Sequence, residues 1–236
     1  MSPLEKLYEE LSYEGEVERI KWFHNDLYRE NTDWTVLKKT QFGTYWLKEF
    51  PDQEVSRKVL FDLVLPIPAD GFLKLLNPSQ AAIRLKWDTG FKVYNVVDEL
   101  TDGKACLIYM VVQTSSILAN RSFLLFTPET KEIDWFGEKA TVLIQKHAVD
   151  DNKAPMDGDV IRATNGGNFF IVRPDKDSPE TKCRVFSLSN NNYNGNLDWA
   201  MSIPLLGSKF KKAVVDGVNQ IWVDMVDRGY PNFIKE

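Results

Sequence analysis

The chain has 236 residues, 43% of them hydrophobic and 27% charged, and 29 Lys+Arg against 34 Asp+Glu give a formal net charge of -5. That length is enough for one domain with a sizeable core, and the acidic balance argues against a dedicated nucleic-acid binder and against adsorption to anionic membranes through overall charge. No apolar run approaches the ~20 residues that cross a bilayer, and the N-terminus has no secretory pattern of basic, apolar and small residues. The two cysteines, Cys106 and Cys183, sit in apolar or alternating surroundings, so reduced packing thiols in a cytoplasmic protein are expected.

The first segment, about residues 2–30, reads as helical. Ser2 with Glu5 matches a capping box and Pro3 takes the first helical position. Leu4, Leu7, Tyr8 and Leu11 follow at helical spacing, Gly15 is expected to interrupt, and Val17, Ile20, Phe23 and Leu27 form a second stripe. From Trp34 the period becomes two. A strand over 34–39, a return strand over 44–50 after Gly43, and a third with Val59, Phe61, Leu63 and Leu65 on one face read as an antiparallel meander. Two short helices follow, from Pro68 to Asn77 and then from Pro78 to about Trp87, with Asn77 as the cap between them. Further strands are expected at 93–100, 105–114, 121–127, 140–148, 160–172 and 182–189, with Gly166-Gly167 in a hairpin turn. A long helix from about Lys209 to Arg228 closes the chain. No linker divides residues 1–236, so one α+β domain is expected, its curved antiparallel sheet wrapped around the terminal helix.

Signatures of catalysis are missing. There is no glycine-rich phosphate loop, no Gly-x-Ser-x-Gly elbow and no His-Glu-x-x-His. His24 and His147 have no ligand-like partner at close spacing. No catalytic residue, metal or cofactor is expected.

Several motifs occur in a telling order. Ala81-Ala82-Ile83-Arg84-Leu85-Lys86-Trp87-Asp88 precedes a strand; Ala119-Asn120-Arg121-Ser122-Phe123-Leu124 opens another. Gly158-Asp159-Val160-Ile161-Arg162-Ala163 and Thr181-Lys182 come later, with Gly195 and Pro204 near a final turn. Together, from about Val59 to the C-terminus, they resemble the StAR-related lipid-transfer (START) family: its Trp-Asp, its Arg-Asp-Phe-Val with Ser122 replacing the acid, and its Gly-Val-Ile-Arg-Ala strand. The resemblance implies a helix-grip fold around a hydrophobic cavity roofed by the terminal helix. Sterol-binding members carry a buried acid and a second basic residue where Ile108 and Thr127 stand here. Both members of that costly pair are gone, so phospholipid is favoured over sterol.

By strand parity Ile108, Met110 and Val112 point one way, and Arg121, Phe123 and Leu125 share one face of the next strand. In the family that face lines the cavity, which makes these residues, with Val214, Ile221 and Met225 of the terminal helix, the expected ligand contacts. Ile117 and Leu118, apolar at a loop tip, stand where the family has a gate. Lys209, Lys211 and Lys212 crowd the expected helix start, where cations oppose the helix dipole, and could meet anionic headgroups during transient membrane contact. The implied role is a monomer that binds a lipid and transfers it between membranes through the cytosol. The alternatives are a sensor of a hydrophobic ligand without transfer, a helix-grip enzyme, and a filled structural domain.

Overall fold

The computed structural model describes residues 1–113, 119–150, 152–154, 160–195 and 204–234, without the side chains at 204–211 and 214. The expected gate residues Ile117 and Leu118 lie outside the described residues.

Helix α1 (Pro3–Glu9) begins with the anticipated capping box: Ser2 Oγ accepts the Glu5 amide at 3.1 Å and the Glu5 carboxylate accepts the Ser2 amide. Gly15 does not interrupt the second helix. It lies in the first turn of α2 (Tyr13–Tyr28), where its amide donates to Ser12 Oγ at 3.1 Å. A serine cap needs a free amide two or three residues on, so this pair marks a start and not a stop.

Strands β1 (Thr35–Lys39), β2 (Gly43–Glu49) and β3 (Arg57–Leu65) form the expected antiparallel meander. Helix α3 (Ala69–Leu76), a 3-10 turn (Pro78–Gln80) and α4 (Ala81–Trp87) follow, with Asn77 Oδ1 accepting the Ser79 amide at 2.9 Å. Next come β4 (Phe91–Glu99), β5 (Ala105–Val112), β6 (Asn120–Pro128), β7 (Lys131–Trp135), β8 (Glu138–His147), β9 (Val160–Arg162), β10 (Thr164–Asn165), β11 (Asn168–Pro174), β12 (Cys183–Ser189) and β13 (Asn191–Asn192). Helix α5 (Pro204–Asp224) runs into a π turn (Met225–Gly229) and the short α6 (Tyr230–Phe233).

One sheet takes the order β1-β2-β3-β12-β11-β8-β6-β5-β4, with β7 against β8, β9 parallel to β6, and β10–β13 a separate pair. Two features differ from expectation. The segment 160–172 is three strands, and the Gly166-Gly167 turn joins β10 to β11, which pair with β13 and with β8 and β12 instead of with each other. Strand β7 also escapes the pattern: Lys131, Glu132 and Asp134 make it charged, and it turns into β8 through Phe136 and Gly137, both at positive φ (54° and 83°). A two-residue turn of that kind normally signals itself with Asn-Gly, and phenylalanine in the first position hides it.

The sheet has two covered faces. On the outer face Ile20, Phe23 and Leu27 of α2 pack on Ile144, Phe169 and Ile171, while Leu4 of α1 packs on Leu107, Leu124 and Phe126. On the inner face Val215 and Trp222 of α5 and Met225 meet Phe61, Leu63, Phe72 and Val185. Each such buried side chain contributes roughly 1.5–3 kcal/mol of transfer free energy. Helix α5 begins at Pro204, a favoured first residue, five residues earlier than the expected start. Lys209, Lys211 and Lys212 therefore sit beyond the first turn, where the dipole effect has largely decayed. Lys212 is exposed, and the side chains of the other two lie outside the described set.

Candidate ligand cavity

Between α5 and the inner face of the sheet lies a cavity of about 460 Å³. Its walls follow from strand register. Tyr94 on β4 pairs with Met110 on β5, which pairs with Phe123 on β6; Phe91, Val112 and Arg121 form the parallel row beside them. Partners across antiparallel strands point to the same side, so all six reach the cavity. A second wall comes from β8 and β11, where Leu143 pairs with Phe170 and Gln145 with Asn168. Ala213, Gly217, Val218, Ile221 and Trp222 of α5 form the roof, and Arg84 of α4 reaches in from the β4 side.

Of the residues selected from sequence, Met110, Val112, Arg121, Phe123 and Ile221 line this space. Ile108 and Leu125 pair with each other one step further along the same face and are wholly buried in a cluster with Cys106 and Tyr94. Met225 lies in the π turn, packed with Phe72 and Trp87. The side chain of Val214 lies outside the described set. Parity selects a face of a strand; how far along that face the helix stands clear of the sheet is set by tertiary packing, which parity does not encode.

The charged groups at the cavity are tied down. Arg84 Nε and Nη2 donate to Asp88 Oδ2 at 3.1 and 2.9 Å, and Asp88 Oδ1 accepts the Gly90 amide at 3.0 Å. The Asp88 side chain is fully buried. Burial pushes its carboxyl above the usual range, and the adjacent Arg84 cation pulls it back only in part. The Arg84 guanidinium also lies 5.1–5.2 Å from the ring centroids of Trp87, Phe91 and Tyr94. Arg121 is 2% exposed and donates to the backbone carbonyls of Tyr193 at 2.7 Å, Asn194 at 3.3 Å and Ala119. Asn168 donates to Asn191 Oδ1 at 3.2 Å and accepts the Asn190 amide at 2.7 Å. The cavity is therefore apolar across its middle, with a ring-enclosed cation on one side and amides on the other.

Sequence reasoning singled out the Arg84–Asp88 segment as a motif and overlooked it as a wall of the cavity. The signal was present: an Arg and an Asp four apart on a short helix share a face. Tyr94 was also overlooked, although the parity applied to β5 and β6 would have selected it on β4.

The roof is fastened at its C-terminal end and again near Asp216 and Asn219. Thr89 Oγ1 donates to Asp224 Oδ2 at 2.6 Å, Gln220 Nε2 donates to Asp224 Oδ1 at 3.0 Å, and Arg228 Nη2 donates to the Trp87 carbonyl. Lys38 pairs with Asp216, and Tyr45 Oη donates to Asn219 Oδ1 at 3.4 Å. Among the described residues no group of three or more His, Cys, Asp or Glu side chains is placed to hold a metal ion, and no described helix is long and apolar enough to cross a membrane.

The family model for the START domain matches residues 13–227. Human StAR-related lipid transfer protein 5 superposes with a TM-score of 0.68 at 12% identity, over 90% of this chain and 95% of that one. Human STARD10 gives 0.65 at 14% identity, over 90% and 80% of the two chains. The lipid transfer and protein localization domain of human StarD13 (DLC2) gives 0.61 at 16% identity, over 91% and 97%. No curated protein matches the sequence. At these identities the likeness is one of fold.

Proposed function

Because the chain belongs to the START domain family, we propose that it holds one lipid beneath α5 and carries it between membranes. The observation that carries this reading is the unfilled cavity of about 460 Å³ between helix and sheet, within the ~300–1,000 Å³ range of small-molecule sites. The apolar rows through Met110 and Phe123 and through Leu143 and Phe170 suit acyl chains. At about 0.8 kcal/mol per methylene, a ~16-carbon chain leaving a bilayer forfeits about 13 kcal/mol, which only an enclosed apolar site offsets.

A phospholipid fits the charge pattern better than a sterol does. Arg84 places a buried cation on the wall, already oriented by Asp88 and three aromatic rings, where an anionic phosphate gains a strong charge-assisted hydrogen bond. Ile108 and Thr127, at the positions of the acid and base of sterol-binding members, are both buried and offer no ion pair. On this reading Met110, Val112, Arg121, Phe123 and Ile221 contact the lipid, and Ile117 and Leu118 gate it against the roof. Lys212 and its neighbours Lys209 and Lys211 meet anionic headgroups when the protein docks from the cytosol.

Transfer of fluorescent phosphatidylcholine between donor and acceptor vesicles tests the proposal. Catalytic amounts of protein are expected to accelerate transfer, and Ile117→Asp with Leu118→Asp to slow it without changing the melting temperature. Tight binding without transfer would make the chain a sensor; neither binding nor transfer would refute the reading.

A further inference from the structure

The aromatic side chains that stand most exposed among the described residues share one region of the outer face. Trp22 and Tyr28 of α2 and Phe136 of the β7–β8 turn are each about half exposed. Apolar residues scattered singly on a surface need no explanation, but a group of them does. Each ring is also held in place. Trp22 lies edge-on to Phe23, with 4.9 Å between centroids, and 6.4 Å from Phe50. Tyr28 Oη donates to Asp62 Oδ2 at 2.6 Å, and His24 lies 4.8 Å from the rings of both Tyr28 and Phe136. Phe136 stays there at positive φ (54°), a conformation disfavoured for a bulky side chain.

The charges beside Trp22 define what fits. Helix α2 turns Ile20, Phe23 and Leu27 to the sheet. On its opposite side Glu18, Trp22, Asn25 and Arg29 are all exposed and follow one another at spacings of four, three and four residues. At about 3.6 residues per turn, those spacings lay the four along one line. That line is its own complement: turned end over end about its midpoint, it sets Glu18 opposite Arg29 and Trp22 opposite Asn25. A two-fold axis makes such a contact twice and closes the assembly. Lys21 meets Glu18 at 3.2 Å, and Asp26 and Asp33 meet Arg29 at 3.0 and 2.8 Å, yet both Glu18 and Arg29 keep much of their surface in solvent. Tryptophan and arginine are the commonest anchors of protein interfaces, and a ring already locked in place loses little freedom on docking.

We propose that two copies of this chain pair through α2, antiparallel about a two-fold axis between Trp22 and Asn25, with Glu18 of each copy against Arg29 of the other. The paired face is the outer one and the cavity lies on the inner one, so pairing leaves the lipid-holding reading untouched. One helix crest with its flanking rings makes a contact smaller than permanent interfaces, which sets a Kd of about 10–100 µM. In a dilute transfer assay the chain is then a monomer.

Sedimentation velocity of the full chain from about 5 to about 300 µM, a span that brackets this Kd, tests the proposal. The wild type is expected to pass from monomer to dimer, and Trp22→Glu to raise the Kd at least about tenfold. A charge swap reads the geometry itself. Glu18→Arg alone and Arg29→Glu alone should each weaken pairing at least about tenfold, because like charges then meet twice. An equimolar mixture of these two variants should dimerise, since every arginine on the line again faces a glutamate, and so should Glu18→Arg/Arg29→Glu. A wild type that stays monomeric throughout overturns the proposal, as does a dimer that Trp22→Glu leaves intact, or single variants that mixing does not rescue. If a monomeric wild type floats with vesicles of phosphatidylcholine and phosphatidylserine and Trp22→Glu does not, the face docks on membranes and the dimer is equally refuted. All three positions are exposed, so melting temperatures should stay within about 4 °C of the wild type. Should Trp22→Glu fail to melt cooperatively, the charge swap decides alone.

Discussion

Removing the Asp88 carboxylate tests whether the cation on the cavity wall is held for a ligand. In Asp88→Ala the Arg84 guanidinium keeps its three rings but loses two hydrogen bonds and its counter-charge, in a place where its own side chain is 11% and that of Asp88 0% exposed. Breaking a buried pair by deleting one member costs about 3–5 kcal/mol, because an uncompensated charge stays behind. For a chain of this size each kcal/mol lowers the melting temperature by about 2–4 °C, so a fall of about 6–20 °C is expected. Arg84→Met/Asp88→Ala removes both charges and should cost less than the sum of the single changes, by more than about 1 kcal/mol. Urea denaturation of the wild type, both single variants and the double variant gives that coupling. The ligand adds a second readout. Phosphatidylcholine should narrow the deficit of Asp88→Ala, since its phosphate replaces the missing carboxylate, and should not narrow that of Arg84→Met. Additive single changes, or equal rescue of both variants, would refute the assignment of Arg84 to the headgroup.

Other outcomes follow from burial. Ile108→Ala and Leu125→Ala, in packed core, should each cost about 2–5 kcal/mol with little change in lipid affinity. Met110→Trp, on the cavity wall, should leave stability nearly unchanged and abolish lipid loading, as read by native mass spectrometry. Burial lowers the pKa values of His24 and His147 below 6.5. The stability they contribute is therefore present above about pH 6.5 and lost as pH falls through their folded-state values. Unfolding free energy should decline from pH 6.5 to 5, and His24→Gln/His147→Gln should flatten that decline. Burial pushes the Cys106 and Cys183 thiols up to about 12, so neither should react with a thiol reagent at pH 8 until the protein is unfolded.

Much of the fold could be read from the chain because local signals agreed with tertiary needs. The Ser2–Glu5 box, the Asn77-Pro78 junction, the alternation of β3 and the almost continuous apolar run of β5 each specify an element without reference to anything distant. Where a signal was local but ambiguous, as with Gly15, either reading fitted the sequence and the Ser12 cap decided. Strand β7 was illegible because a charged edge strand shows little apolar alternation. Strands β9 to β11 merged because pairing partners, not composition, divide them. For the site, parity put Met110 and Ile108 on one face of β5, and Arg121, Phe123 and Leu125 on one face of β6. Of these, Met110, Arg121 and Phe123 line the cavity while Ile108 and Leu125 lie in packed core, since one face of a strand runs from cavity into solid core. Met225 was grouped with Ile221 by helical spacing, yet the π turn shifts it into the packing around Trp87. Arg84 faces the cavity only because α4 docks at the edge of β4, a relation that no period along the chain records.

Extraction of the purified protein with organic solvent, followed by mass spectrometry and phosphate assay, bears most directly on the claim that the space under α5 exists to be filled. One phosphorus-containing lipid per chain is expected from the wild type and none from Met110→Trp. A wild-type protein that yields no lipid, and gains no stability from vesicles of any composition, would show the cavity to be a packing gap and the carrier reading to be wrong.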